Sequence, residues 1–244
     1  MNGGYFQKKH IRVVVLLSAI LFLLGVYFYT IDNLLVYRAL RGVICFSFLF
    51  VLLFYKRNTV NWITGTFLFL YGSSSIAGIW YETSMFANVS MVLNLSAFML
   101  LIGALSPKIS FKKLNIYFAA FSTLLVLVNA YLLYAFVEMI RDFALGELHY
   151  FLVMIGSMCL VITGFLSLLY NHKFSSKVSL IFTLFVFVLV FAEVFRAIAY
   201  YNFAYENFSE YMSRALLLLG CSLLVYYEFT EKKPAEVLGK TAVK

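Results

Sequence analysis

Eight long apolar runs follow one another along the 244 residues of this chain, with only short polar stretches between them. They lie at about 11–30, 33–55, 60–82, 84–106, 115–137, 149–171, 178–202 and 208–227. A helix of about 20 apolar residues crosses the hydrocarbon core of a bilayer and satisfies its own backbone hydrogen bonds there. The chain is therefore predicted to be an all-α, polytopic integral membrane bundle of about eight transmembrane helices.

Composition agrees with this interpretation, because 64% of the residues are hydrophobic and only 12% are charged. A soluble domain carries roughly 25% charged residues. No glycine- or serine-rich linker divides the chain, so residues 1–227 are predicted to form a single bundle. Residues 228–244 are polar and include Pro234, and we expect them to be a short disordered cytoplasmic tail.

The formal net charge of +8 is explained by membrane orientation, since the basic residues cluster in alternate loops. Short cytoplasmic loops retain Lys and Arg, whereas translocated loops lack them. One set of loops carries Lys56, Lys108, Lys173 and Lys177, and the other carries Asp32, Glu82, Glu147 and Glu206. Both termini are therefore predicted to be cytoplasmic, and the pattern gives no basis for nucleic acid as a partner.

No cofactor or metal is predicted. Cys45, Cys159 and Cys221 all fall inside apolar runs without the spacing of metal ligands or of a redox motif. No nucleophile elbow and no phosphate-binding loop is present. A hydrolase of those classes is therefore not predicted.

Ionisable residues inside membrane spans are costly and are the first place to look for function. Span two carries Arg38 and Arg41, span seven carries Glu193 and Arg196, and span eight carries Glu210 and Arg214. Each pair is three or four residues apart and therefore shares one helix face. Counted along the helices at about 1.5 Å per residue, these residues lie at a similar depth below the outer surface, as do Ser73 and Asn94. We expect a polar pocket that opens toward the outer face.

Two interpretations of this layer remain open. The residues could form structural ion pairs that fix helix packing. Four arginines against two glutamates leave an excess of positive charge, however, and an anionic ligand would neutralise it. The planar guanidinium suits a phosphate, and a lipid head group supplies phosphate at that depth.

The length, the eight spans and the polar positions resemble the YhhN family, whose members include lysoplasmalogenases. Span three of that family has a Gly-Asp pair, and here the stretch reads Gly72-Ser73-Ser74-Ser75. Span seven of the family has an acid that is similar in place to Glu193. In span eight, the stretch beginning at Tyr211 resembles the family's Tyr-x-x-Ala-Gln pattern. A Lys-Pro near the start of span two corresponds to Arg38 or Arg41.

The resemblance implies cleavage of the vinyl ether of a lysolipid, with Glu193 as the catalytic acid. It also implies substrate binding by a set of polar residues, namely Arg38, Arg41, Ser73, Asn94, Arg196, Tyr211 and Arg214. Because Ser73 stands where the family has an acid, we expect lysoplasmalogenase activity that is weak or absent. The implied location is the inner (cytoplasmic) membrane of a bacterium, with membrane lipids as partners.

The alternative function is a non-catalytic membrane subunit of a larger envelope or signalling complex, which would have a membrane-protein partner. Very short loops and an incomplete catalytic set favour it. Transport is less well supported, because the chain has only two prolines and no span that is clearly broken.

Overall fold

A computed structural model describes residues 3–56, 59–109, 116–201 and 206–230. Within these ranges the chain is helical and contains no strand, which confirms the all-α prediction. The eight long helices are α1 (Gly3–Thr30), α2 (Leu34–Lys56), α3 (Trp62–Ala77), α4 (Ser84–Leu105), α5 (Ile116–Met139), α6 (Glu147–Phe174), α7 (Lys177–Tyr200) and α8 (Glu206–Thr230).

Seven of these helices are long and apolar enough to cross a membrane, and α3 is the exception. It has 16 residues, and a 3-10 turn at Gly78–Trp80 continues it for three more. A rise of about 1.5 Å per α-helical residue and about 2.0 Å per 3-10 residue brings the two together to roughly 30 Å. That length matches the hydrocarbon core, so the chain forms a polytopic membrane bundle.

Six helices form a closed ring in the order α2, α3, α4, α6, α7 and α8, with α8 again packing against α2. Helix α1 lies over the contact between α2 and α8, and α5 packs outside the ring against α6. One end of the bundle carries Asp32, Glu82 and Glu147 and is called the acidic end below. The other carries Lys56, Lys108 and Lys177 and is called the lysine end.

Small residues allow α2, α3 and α4 to approach closely, as the run of small residues in span three indicates. A Cβ atom on Gly42 of α2 would overlap the Ile76 side chain of α3, and one on Gly72 would lie 3.1 Å from Cys45 Cβ. Between α3 and α4, the hydroxyl groups of Ser74 and Ser90 each donate to the other residue's carbonyl oxygen, at 2.8 and 2.9 Å. These contacts fix the rotation of α3 and thereby choose which of its residues face the interior.

The predicted boundary of the tail lies too early, because α8 extends to Thr230 and Glu228 is part of the core. Glu228 is 1% exposed, pairs with Lys56 and accepts a 2.6 Å hydrogen bond from Thr64. It joins α8 to α2 and α3 at the lysine end, and a buried carboxylate requires such partners. The rest of the predicted tail lies outside the described residues.

Candidate ligand-binding site

Glu193 of α7 is the centre of a buried polar cluster near the acidic end. Its carboxylate is 6% exposed and accepts hydrogen bonds at both oxygens. Oε1 accepts from Arg41 of α2 and from the Tyr71 hydroxyl of α3. Oε2 accepts from Arg196 at 2.5 Å and from the Asn94 amide of α4 at 3.3 Å. Four helices therefore meet at one side chain.

The helices present these donors because the core below them is tightly packed. Tyr71 stacks on Phe67 with ring centroids 5.6 Å apart, and Phe67 contacts Phe98 and Phe185 edge-on. At the contact between α7 and α8, the Ser213 hydroxyl donates to the Ala192 carbonyl oxygen at 3.1 Å. The aromatic layer and this bond hold the Glu193 carboxylate at a fixed place between α2, α3 and α4.

The engagement of Glu193 limits its chemistry. Arg41 and Arg196 balance its charge, and four donors occupy its two oxygens. A general acid needs a proton that it can transfer to the substrate, and a carboxylate that accepts four hydrogen bonds has none to give. The arrangement is suited to joining helices.

A cavity of about 160 Å³ lies beside this cluster and has two chemically different halves. The polar half is lined by Arg38, Arg41, Glu193, Arg196, Glu210 and Arg214. The apolar half is lined by residues of α4, α5 and α6, including Met91, Leu95, Leu133, Phe136, Val153 and Leu160. Such a site is suited to an amphiphile, with its polar group toward α2, α7 and α8.

Arg214 of α8 is the cation of the polar half whose bonding is least complete. It is 6% exposed, and its Nη2 donates to the Tyr37 carbonyl oxygen at 2.8 Å. Its guanidinium lies over the Tyr37 ring, 4.1 Å from the centroid. Among the described residues, Nη1 has no hydrogen-bond partner and no carboxylate lies within ion-pair distance of the guanidinium. Nε of Arg41, in the same cavity wall, is also without a partner among them.

The other charged residues of this layer, Arg38 and Glu210, have partners near the acidic end of the bundle. Arg38 pairs with Glu82, and the Tyr37 hydroxyl donates to Glu210 at 2.8 Å. Burial acts to raise the pKa of Glu82, but the hydrogen bond and charge of Arg38 outweigh it and leave the pKa below its ordinary value. Four arginines thus face three carboxylates, and one positive charge is in excess.

The structure brings six of the eight predicted site residues to one cavity, namely Arg38, Arg41, Asn94, Glu193, Arg196 and Arg214. Ser73 and Tyr211 are not among the residues that line it. Ser73 is half-buried, and the cavity is lined instead by Ser75, about 200° further around α3. Tyr211 packs edge-on against Tyr29 of α1, with ring centroids 5.2 Å apart.

Three contributors to the site were not predicted from the ionisable residues within spans. Tyr71 and Tyr37 are tyrosines inside apolar runs, and the available signal is that a buried tyrosine hydroxyl requires a partner. Glu82 follows a span and has the sequence context of a loop residue. Its pairing with Arg38 crosses 44 residues of sequence and leaves no local signal.

No protein-family model, no curated protein and no solved structure matches this chain. The resemblance to the YhhN family therefore rests on the short motifs quoted above. Each of those motifs has a residue in the cavity wall, namely Arg38 and Arg41, Ser75, Glu193 and Arg214, whereas Ser73 and Tyr211 themselves are not among the lining residues.

Proposed function

We propose that this membrane protein binds the anionic group of a single-chain amphiphile in its cavity and does not hydrolyse it efficiently. The observation that carries the proposal is the buried Arg214, whose Nη1 has no partner among the described residues, whereas the other buried charged residues among them are all in ion pairs. The excess positive charge of the polar half supports the same conclusion.

A buried donor without a partner costs about 1–3 kcal/mol, and more when it is charged. Such a group is retained where a ligand completes its bonding. The guanidinium presents donors in a planar fork that matches phosphate or carboxylate, and Nε of Arg41 offers a second unused donor in the same wall. An anion that bridges Arg41 and Arg214 would satisfy both.

The apolar half of the cavity favours an amphiphile over a soluble anion. Its lining by Met91, Leu133 and Phe136 offers hydrocarbon contacts to a chain, and the Ser157 hydroxyl in the same half already donates to the Val153 carbonyl oxygen. Lipid head groups also supply phosphate at this depth of a bilayer.

Vinyl-ether hydrolysis, as in lysoplasmalogenases, is the less supported form of the proposal. That reaction requires one acid to protonate the vinyl carbon and one carboxylate to activate water. Glu193 is engaged by four donors, and Ser73 is absent from the cavity lining. A YhhN-like protein that retains lipid binding and has lost most of its chemistry fits these residues.

The test compares Arg214→Gln with Arg12→Gln, whose exposed arginine lies toward the lysine end of α1. Dodecyl phosphate is titrated into the purified protein in dodecyl maltoside, and binding is measured by calorimetry. Loss of one partner from a buried charged contact costs about 2–5 kcal/mol, so Arg214→Gln should weaken binding at least about thirtyfold. Arg12→Gln should leave the affinity unchanged.

Equal affinity in the two variants would return the arginine layer to a purely structural role. Lys56 is a poor control although it lies at the lysine end, because it pairs with the buried Glu228. Its removal would test the fold and not the site.

A non-catalytic subunit of a larger complex is a second candidate, and Asn129 favours it. This residue lies in the middle of α5 with an exposed side chain whose amide donates to the Leu125 carbonyl oxygen at 2.8 Å. Polar side chains at mid-membrane often hydrogen-bond to a neighbouring helix. Asn129→Leu should then reduce the size of the complex seen on native gels of mild detergent extracts. An unchanged size would remove this support.

A further inference from the structure

We propose that the hydrocarbon chain of the ligand reaches the cavity from the bilayer through the gap between α6 and α7, and that the end of α5 closes this gap. The inference rests on the proposed binding of an anionic amphiphile and adds the route and the place of its chain. The place of the cavity between α6 and α7 and the packing of α5 mainly against α6 among the long helices of the described chain carry it.

Helices α6 and α7 contact each other near the turn that joins them at the lysine end. There Ser179 donates to Asn171 at 3.0 Å, and Thr183 donates to the Ser167 carbonyl oxygen at 2.8 Å. Toward the acidic end, Gly156 of α6 and Ala197 of α7 both line the cavity. Toward the acidic end, the cavity therefore lies between α6 and α7.

The end of α5 covers this space. More than half of the α5 residues are exposed to the surroundings of the bundle, and few are fully buried. Val137 near its end and Ile140 just beyond it are 1% and 2% exposed, and both line the cavity. Leu133 and Phe136 add to the same wall. The end of α5 is thus buried because it forms part of the cavity wall, and not because a second layer of helices covers it.

Helix α5 packs against α6 and makes little contact with α7 in the described part of the chain. Glu138 accepts a 2.7 Å hydrogen bond from Tyr150 at the start of α6. Beyond α5, the Phe143 ring lies 6.2 Å from the Tyr201 ring that follows α7. Segments with few buried contacts open at low free-energy cost. Movement of this end away from α7 would connect the apolar half of the cavity with the lipid chains.

The first test concerns the place of the chain and uses two helix glycines. Gly156 lines the apolar half, and an added Cβ would meet only the flexible end of Met91, at 3.6 Å. Gly156→Leu fills that half and should weaken dodecyl phosphate binding at least about tenfold while leaving methyl phosphate binding unchanged. Gly103 of α4 is exposed with no atom within 4 Å of an added Cβ, so Gly103→Leu is the matched control.

The second test concerns the route. Phe143→Cys and Tyr201→Cys are combined and joined by a short bifunctional thiol reagent after purification, which ties the end of α5 to α7. Both the association and dissociation rates of dodecyl phosphate should fall at least about tenfold, with little change in equilibrium affinity. Each single-cysteine variant treated with the same reagent reports any reaction at the buried Cys45, Cys159 and Cys221.

Unchanged rates after cross-linking would overturn the route, and unchanged dodecyl phosphate affinity in Gly156→Leu would overturn the place of the chain. These results are separable from failure of the anion site. If Arg214→Gln weakens binding of both phosphates and Gly156→Leu weakens neither, the anion site stands without the proposed chain position. If Arg214→Gln has no effect, the proposed function fails first.

Discussion

Replacement of Glu193 by glutamine removes the one negative charge that holds Arg41 and Arg196 together in the interior. The native carboxylate accepts four hydrogen bonds, two of them from these arginines. Glutamine keeps the shape of the side chain, but its NH2 group is a donor and would face two of the donors that bind the native carboxylate. The two guanidinium groups would also lose their counter-charge. Breaking a buried ion pair in this way costs about 3–5 kcal/mol.

This cost converts into a large change in thermal stability. Proteins of 150–250 residues change their Tm by roughly 2–4 °C for each kcal/mol, so Glu193→Gln should lower Tm on the order of 6–20 °C. The assay is thermal denaturation of purified protein in dodecyl maltoside, followed by the fraction that remains monodisperse on size-exclusion chromatography.

Glu210→Gln is the matched control, because Glu210 lines the same cavity and is half-buried. Its carboxylate accepts a 2.8 Å hydrogen bond from the Tyr37 hydroxyl and forms no ion pair with a described residue. Loss of one such bond costs about 1 kcal/mol and predicts a decrease in Tm of roughly 2–4 °C.

A double variant tests whether charge is the cause. Glu193→Gln combined with Arg196→Gln removes one of the two uncompensated cations and should recover part of the lost stability, as contacting residues are energetically coupled. A Tm for Glu193→Gln within about 2 °C of the native value, equal to that of the Glu210 control, would refute the reasoning. Glu193 would then be free for chemistry, as the resemblance to lysoplasmalogenases implies.

Three further predictions concern topology, chemistry and the lysine end. Reporter fusions after Lys177 should be cytoplasmic and those after Glu82 external, and a Lys177 fusion on the outside would contradict the eight-span topology. Native protein incubated with lysoplasmalogen should release little or no aldehyde, and Ser73→Asp should not raise the release because Ser73 is not among the cavity-lining residues; strong release would contradict the proposed function. Glu228→Gln leaves Lys56 without its buried partner and should cost about 3–5 kcal/mol, which lowers Tm on the order of 6–20 °C. An unchanged Tm would mean that the pair contributes no stability.

The sequence alone determined the fold class and the approximate span boundaries. In a bilayer every backbone polar group must be bonded within the segment, so long apolar runs have helices as their available structure. The shortest helix, α3, was also predicted as a span, and its 3-10 extension supplies the missing length. The arginine and glutamate layer was visible for a related reason, because a charged residue inside an apolar run is conspicuous.

Tertiary structure decided which residues of that layer meet. Helical spacing identifies partners only within one helix, as for Glu193 and Arg196, whereas Arg41 reaches Glu193 across 152 residues of sequence. The rotation of each helix about its axis is fixed by packing against its neighbours, and for α3 by the serine contacts with α4. That rotation turned Ser75 and not Ser73 toward the cavity and left one donor of Arg214 without a partner. Both outcomes depend on contacts between helices that are distant in sequence, and no local pattern encodes them.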